Sequence, residues 1–125
     1  MSKILIIDDD LEICSLVKRA LEKEGHQVTS QPDPIQAESM PLDLFDLILL
    51  DVMMPGKDGY QLCREIKEDL QLCHLPVILV TAKATVENQV EGLDTGADAY
   101  VTKPFDPAYL LALVKSLLKN REKAR

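Results

Sequence analysis

The stretch Leu47-Ile48-Leu49-Leu50-Asp51-Val52-Met53-Met54-Pro55-Gly56-Lys57-Asp58-Gly59 joins an uninterrupted apolar run to a loop rich in turn-forming residues. A short apolar run without alternation reads as a strand buried on both faces, as in a parallel sheet covered by helices. Asp46 to Leu50 is therefore read as a buried strand that stops at a carboxylate. Working outward, Lys3 to Ile7 ends in Asp8-Asp9-Asp10, Val77 to Val80 in Thr81-Ala82-Lys83, and Ala99 to Thr102 in Lys103-Pro104-Phe105. Polar chemistry follows the strand each time.

The segments between these runs carry helical spacing. Leu11 to Glu24 places Ile13, Leu16, Val17, Ala20 and Leu21 on one face, and Gly25 suits the stop. His26 to Ser30 reads as a more polar edge strand and Pro34 to Met40 as a short helix. Gly59 to Leu70 is helical with Leu62, Cys63, Ile66 and Leu70 aligned, and Ala84 to Asp94 is a helix ending near Gly96. Pro107 to Asn120 closes the pattern, with Pro107 suited to a first turn. Five successive strand-then-helix pairs imply an α/β fold, doubly wound, with one parallel sheet covered on both faces.

A chain of 125 residues fits one domain, and 46% hydrophobic residues allow a substantial core. Residues 1–120 form that unit; 121–125, within the polar stretch from Lys119 to Arg125, read as a tail or the start of a linker. The longest apolar runs are far too short to cross a membrane, and the N-terminal stretch lacks signal-peptide regions, so a cytoplasmic location is expected. A formal net charge of −7 disfavours direct contact with nucleic acid phosphates. Cys14, Cys63 and Cys73 form no C-x-x-C pair and read as reduced structural thiols.

In an open parallel sheet, ligands bind beyond the carboxyl ends of the strands. Asp8, Asp9, Asp51, Thr81 and Lys103 all stand there. Converging carboxylates repel one another unless a hard cation is shared, and magnesium, which takes carboxylate and phosphate oxygens while keeping several waters, suits such a site. One carboxylate can act as nucleophile in aspartyl phosphate chemistry. Lys103 would offset charge on phosphoryl oxygens and the Thr81 hydroxyl would donate to one of them. Each group alone has a plainer reading: Asp10 as a helix cap, Thr81 as a turn residue, Lys103 as a solvated charge. Their coincidence at four strand ends favours the site.

These residues carry a family resemblance over essentially the whole chain. The acidic pair Asp8-Asp9, the D-x-x-M-P-x-x-D-G run from Asp51 to Gly59, Thr81-Ala82, and G-A-D-x-Y-x-x-K-P-F from Gly96 to Phe105 resemble the receiver domain of response regulators in two-component systems. The resemblance implies a flavodoxin-like sheet in the order 2-1-3-4-5. It implies that Asp51 is phosphorylated by a histidine kinase or phosphotransfer protein. Asp9, Asp51 and the Met53 backbone carbonyl would then bind magnesium, with Asp8 assisting through water. Thr81 and Lys103 would contact the phosphoryl group, Tyr100 would be the mobile switch aromatic, and the Lys103–Pro104 bond would be cis. An output domain in the full-length protein is expected, with no membrane insertion. The ending SLLKNREKAR resembles the exit of receivers found within hybrid sensor kinases. His26 and His74 read as structural, and Met53 and Lys83 flank the place where family members tune hydrolysis. Many DNA-binding members dimerise through the fourth helix, fifth strand and fifth helix with charged pairs, a mode that Gln89, Ala99 and Leu113 do not support.

Three other functions compete. A haloacid-dehalogenase-type phosphatase would begin with D-x-D, as Asp8 and Asp10 supply, but no acidic pair follows Lys103, no cap domain is visible and Asp51 would have no role. A flavin-binding module would need small or hydroxyl residues after the first strand, where the three aspartates would repel phosphate. A degenerate receiver, acting only as an interaction module, would have lost an acidic, Asp or Lys position, and none is lost here.

Overall fold

A computed structural model describes residues 2–124. Strands β1 (Lys3–Ile7), β2 (Gln27–Gln31), β3 (Leu47–Leu50), β4 (Val77–Thr81) and β5 (Ala99–Thr102) alternate with helices α1 (Leu11–Lys23), α2 (Pro34–Glu38), α3 (Gly59–Glu68), α4 (Val86–Asp94) and α5 (Pro107–Ala124). The sheet is parallel throughout, in the order β2-β1-β3-β4-β5. Its order reverses beside β1, which pairs with both β2 and β3, so Ile7 lies opposite Leu50 and both Asp8 and Asp51 leave the same edge.

The two-residue period of the strands divides each apolar run between two cores. Leu5, Ile7, Ile48, Leu50, Val77 and Leu79 face a cluster with Ala37 of α2 and Tyr60, Leu62, Cys63 and Ile66 of α3. Ile4, Ile6, Leu47, Leu49, Ile78, Val80 and Val101 face Cys14, Val17 and Leu21 of α1 and Leu110, Val114 and Leu118 of α5. The central strands are apolar at every position because both neighbours are apolar.

Side-chain caps start the helices. Asp10 accepts from the amides of Glu12 and Ile13, Asp58 from Tyr60, and Thr85 from Asn88. Such caps contribute about 1 kcal/mol each. The Thr85 cap starts α4 at Val86, two residues after the expected start. Helix α3 ends earlier than its apolar spacing predicts, because Asp69 turns extended and its carboxylate accepts from the Gln71 amide. Leu70, expected on the buried face, is 89% exposed. A short 3₁₀ turn, Leu42–Leu44, precedes β3 where no element was expected. Positions 121–124, which read as tail or linker, continue α5, and Arg121 Nη1 donates to Asp46 Oδ1 at 3.1 Å and to the Phe45 carbonyl at 3.3 Å. Position 125 lies outside the described residues.

Candidate phosphoacceptor site

At the carboxyl edge of the sheet, one carboxylate oxygen from each of Asp8, Asp9 and Asp51 lies within 4.8 Å of the others. Asp8 and Asp51 are 3% and 5% exposed, whereas Asp9 faces solvent. The backbone shapes the buried pair: Asp8 Oδ1 accepts from the Asp10 amide at 2.9 Å and Asp51 Oδ1 from the Met53 amide at 3.2 Å. Both carboxylates thereby keep one oxygen for the pocket. Asp10 turns away and caps α1, as its plainer reading held.

Lys103 enters from the end of β5. Its Nζ donates to Asp8 Oδ2 at 2.8 Å and to Asp51 Oδ2 at 3.3 Å. Its backbone amide donates to the Thr81 carbonyl at 2.8 Å, which ties the ends of β4 and β5 together, and the Lys103–Pro104 bond that follows is cis. Burial pulls the ammonium down, but the hydrogen bond it donates to Asp8 and the charge of Asp51 outweigh it, and the net shift is upward. Burial pushes the Asp8 carboxyl up, against the pull of Lys103 and together with the charge of Asp51. One ammonium cannot neutralise three carboxylates. An all-oxygen donor set with surplus negative charge is the chemistry that a hard divalent cation fits.

Thr81 is fully buried at the end of β4, and its Oγ1 accepts from the Lys83 amide at 3.4 Å. Tyr100, two strand positions before Thr102, packs its ring against Gly92 of α4, and its hydroxyl donates to the Lys83 carbonyl at 2.8 Å. Met53 continues the loop from Asp51 with its side chain 55% exposed. Asp8, Asp9, Asp51, Thr81 and Lys103 thus stand around one edge, at the ends of β1, β3, β4 and β5.

The motif glycine Gly59 has a steric reason. A Cβ there would lie 2.2 Å from the Asp51 carbonyl oxygen and 2.7 Å from Val52 Cα. The first turn of α3 can pack on the Asp51 peptide only without a side chain. Two residues escaped the sequence reading. Tyr60 is 1% exposed, with its hydroxyl 3.1 Å from that of Tyr100, and a Cβ on Gly92 would lie 2.5 Å from the Tyr100 ring. A lone glycine inside a helix was the one local signal available.

Among the described residues, no cysteine or histidine belongs to the acidic cluster. Cys14 is buried with its thiol donating to the Asp8 carbonyl, and burial pushes that thiol up to about 11. Cys63 is buried against Thr95, and burial raises it as well. Of the positions that argue against a charged dimer face, Gln89 donates to the Ala84 carbonyl within its own helix entry, while Ala99 and Leu113 pack against the core. No helix among the described residues is long and apolar enough to cross a membrane.

The order of the sheet, the switch point beside β1 and the acidic pocket define a doubly wound α/β domain whose chemistry lies at the carboxyl ends of its strands. The chain belongs to the response regulator receiver domain family, whose model matches residues 4–115. It is 40% identical over 124 residues to the DNA-binding dual master transcriptional regulator RpaA of Synechocystis sp., covering 98% of this chain and 52% of that protein. It is 41% identical to the phosphate regulon transcriptional regulatory protein PhoB of Pseudomonas aeruginosa, covering 94% and 52% respectively. The chain spans about half the length of these curated relatives. Among solved structures, a CheY-like response regulator receiver domain protein of Methanospirillum hungatei superposes with a TM-score of 0.91 at 33% identity, over 100% of this chain and 99% of that one. The signal receiver domain of a histidine kinase from Syntrophus aciditrophicus gives 0.86 at 35% identity, over 96% and 92%. This unit is thus a receiver domain of two-component signal transduction.

Proposed function

We propose that Asp51 is the phosphoacceptor and takes its phosphoryl group from a phosphohistidine of a histidine kinase or phosphotransfer protein. The observation that carries this is the placement of Asp51, buried yet open to the pocket, within 4.8 Å of Asp8 and Asp9 and within 3.3 Å of Lys103 Nζ. Asp51 Oδ attacks phosphorus, the P–N bond of the donor breaks, and the departing imidazole takes a proton. The product is an acyl phosphate on Asp51. Asp9, Asp51 and the Met53 backbone carbonyl would hold magnesium, with Asp8 assisting through water. Bound there, magnesium offsets the charge shared by phosphoryl and carboxylate oxygens. Lys103 neutralises a second phosphoryl oxygen, and the Thr81 hydroxyl donates to a third.

The domain is not a turnover enzyme, because Asp51 is consumed until the acyl phosphate hydrolyses. It acts in the cytoplasm as the input for an output unit elsewhere in the full-length protein. The net charge of −7 keeps this domain itself away from DNA. Thr81 and Tyr100 pass the phosphorylation signal to the face formed by α4, β5 and α5. Loss of the Thr81 hydroxyl, in Thr81→Ala, is expected to confine beryllofluoride-induced amide shifts largely to the pocket.

The direct test is mass spectrometry after incubation with acetyl phosphate and magnesium. One phosphate adduct is expected in the wild type and in Asp10→Ala, and none in Asp51→Ala. Labelling of Asp51→Ala at wild-type yield would sink the assignment.

A further inference from the structure

Behind the acidic pocket, two phenolic hydroxyls join four elements of the fold. Tyr60, the second residue of α3, directs its hydroxyl to the Asn88 carbonyl of α4 at 2.9 Å and to the Tyr100 hydroxyl of β5 at 3.1 Å. The Tyr100 hydroxyl reaches the Lys83 carbonyl, in the loop between β4 and α4, at 2.8 Å. Tyr60 is also tied to the phosphoacceptor strand end. Its amide donates to the Asp58 cap at 2.9 Å, and the preceding Gly59 amide donates to the Val52 carbonyl at 3.1 Å.

Two phenols carry two protons, and each phenol can donate only once. Three contacts compete for those protons. When both carbonyls are served, the tyrosine oxygens face each other without a proton between them; when one proton lies between the tyrosines, one carbonyl is released. Burial pushes the Tyr60 phenol up, so it remains a donor. The network therefore holds the Tyr100 ring inward without locking it. The same loop connects this network to the pocket, since the Lys83 amide donates to Thr81 Oγ1 while the Lys83 carbonyl accepts from Tyr100. A shift of Thr81 moves the acceptor that Tyr100 uses.

We propose that Tyr60 is a positioning residue of the switch: its hydroxyl seats Tyr100 in the inward arrangement, and the shared protons set how readily the ring leaves. This rests on the phosphoacceptor reading of Asp51. The sign follows from counting partners. With phenylalanine at position 60, Asn88 loses its donor whichever way the ring lies, whereas inward Tyr100 keeps Lys83 but loses an oxygen able to donate to it, and outward Tyr100 meets water in either protein. The inward arrangement is therefore disfavoured by about five-fold, the scale of one neutral hydrogen bond.

The chain has three tyrosines, so ring-labelled tyrosine gives a readable NMR spectrum. In Tyr60→Phe the Tyr100 ring signal should move toward that of Tyr109, whose side chain is exposed. Because Thr81, drawn toward the bound group, leaves room for the inward ring, beryllofluoride with magnesium should bind about five-fold more weakly in Tyr60→Phe, and that loss should shrink below about two-fold when Tyr60→Phe is made in Tyr100→Phe, where the hydroxyl is already gone. An unmoved Tyr100 signal in Tyr60→Phe overturns the proposal, as does an undiminished loss in the Tyr100→Phe background. Should Tyr60→Phe not fold, Tyr100→Phe reads the contact from the other side: the Tyr60 signal must move, and a fixed one overturns the seat. Failure of the phosphoacceptor reading shows differently, as a wild type that neither binds beryllofluoride nor gains a phosphate adduct on Asp51, while the tyrosine signals of the unliganded proteins still report the seat.

Discussion

Where the strands begin, Lys67 Nζ donates to the Leu75 carbonyl at 2.7 Å and to Asp98 Oδ2 at 2.8 Å, and Arg121 meets Asp46 and the Phe45 carbonyl. Where they end, Lys103 faces both Asp8 and Asp51 with Asp9 close by. At the first edge Lys67 and Arg121 each meet one carboxylate and neutral carbonyls, so charge is matched one to one. At the second edge one ammonium serves a surplus of carboxylates whose remaining oxygens point into the same space. Balanced ion pairs join elements of the fold, whereas the unbalanced cluster carries an excess of negative charge that a hard cation would offset.

The largest effect is expected where the strands begin. Asp98 Oδ2 accepts from the Val77 amide as well as from Lys67, whose side chain is 12% exposed. Asp98→Ala takes the carboxylate from an ammonium that keeps only neutral carbonyls and removes the acceptor of the Val77 amide; with the Asp98 side chain 35% exposed, the cost should be about 2 kcal/mol of stability. Urea unfolding in the absence of metal checks this, and an unchanged midpoint would remove Lys67–Asp98 from the structural joints. At the other edge Asp9→Ala should weaken magnesium about ten-fold, or 1.4 kcal/mol, by calorimetry, because it removes a charged ligand from a site that supplies few. Unchanged affinity in that variant would move the metal site elsewhere.

Stability should respond with opposite sign at the two edges. Asp51→Asn relieves repulsion with Asp8 and Asp9 while an amide oxygen can still accept from Met53, so a gain of about 1 kcal/mol is expected in chelator. A loss comparable to that of Asp98→Ala would show that the acidic cluster is a joint after all. The smallest effect concerns His26, just before β2, whose Nδ1 is buried without a partner and which burial lowers from 6.5. The folded protein then favours neutral His26, so its contribution is fully present above about pH 6.5 and is lost as the pH falls below that toward the folded value. His26→Gln should flatten the change in urea midpoint between pH 7 and pH 5, measured against the wild type; an identical slope would assign the dependence to other groups.

Much of this molecule was legible in one dimension. Unbroken apolar runs gave buried strands because both sheet faces are covered, and Asp10 was legible as a helix cap because caps act within three residues, whereas the Thr85 cap moved the start of α4 two residues past the expected one. Helix ends were less legible. Leu70 fits the apolar spacing of α3, yet the Asp69 turn intervenes, and residues 121–124 look like a linker but continue a helix that Arg121 fastens to Asp46, far away in sequence. Tyr60 looks like any apolar residue in the first turn of a helix. Its partners Asn88 and Tyr100 lie 28 and 40 residues away, and no local pattern encodes such contacts.

The candidate site occupies a middle position between these cases. Sequence determined which residues end each strand, and parallel topology alone requires all strand ends to share an edge, so Asp8, Asp9, Asp51, Thr81 and Lys103 could be named without coordinates. Only the tertiary structure decided which oxygen each carboxylate turns toward the pocket. Backbone amides occupy Asp8 Oδ1 and Asp51 Oδ1, Lys103 spans the other two oxygens, and the tyrosine hydroxyls compete for two carbonyls behind them. The reason is range: hydrophobic periodicity and capping are written within a few residues, whereas hydrogen-bond partners and shared charge depend on distances that exist only once the sheet has closed.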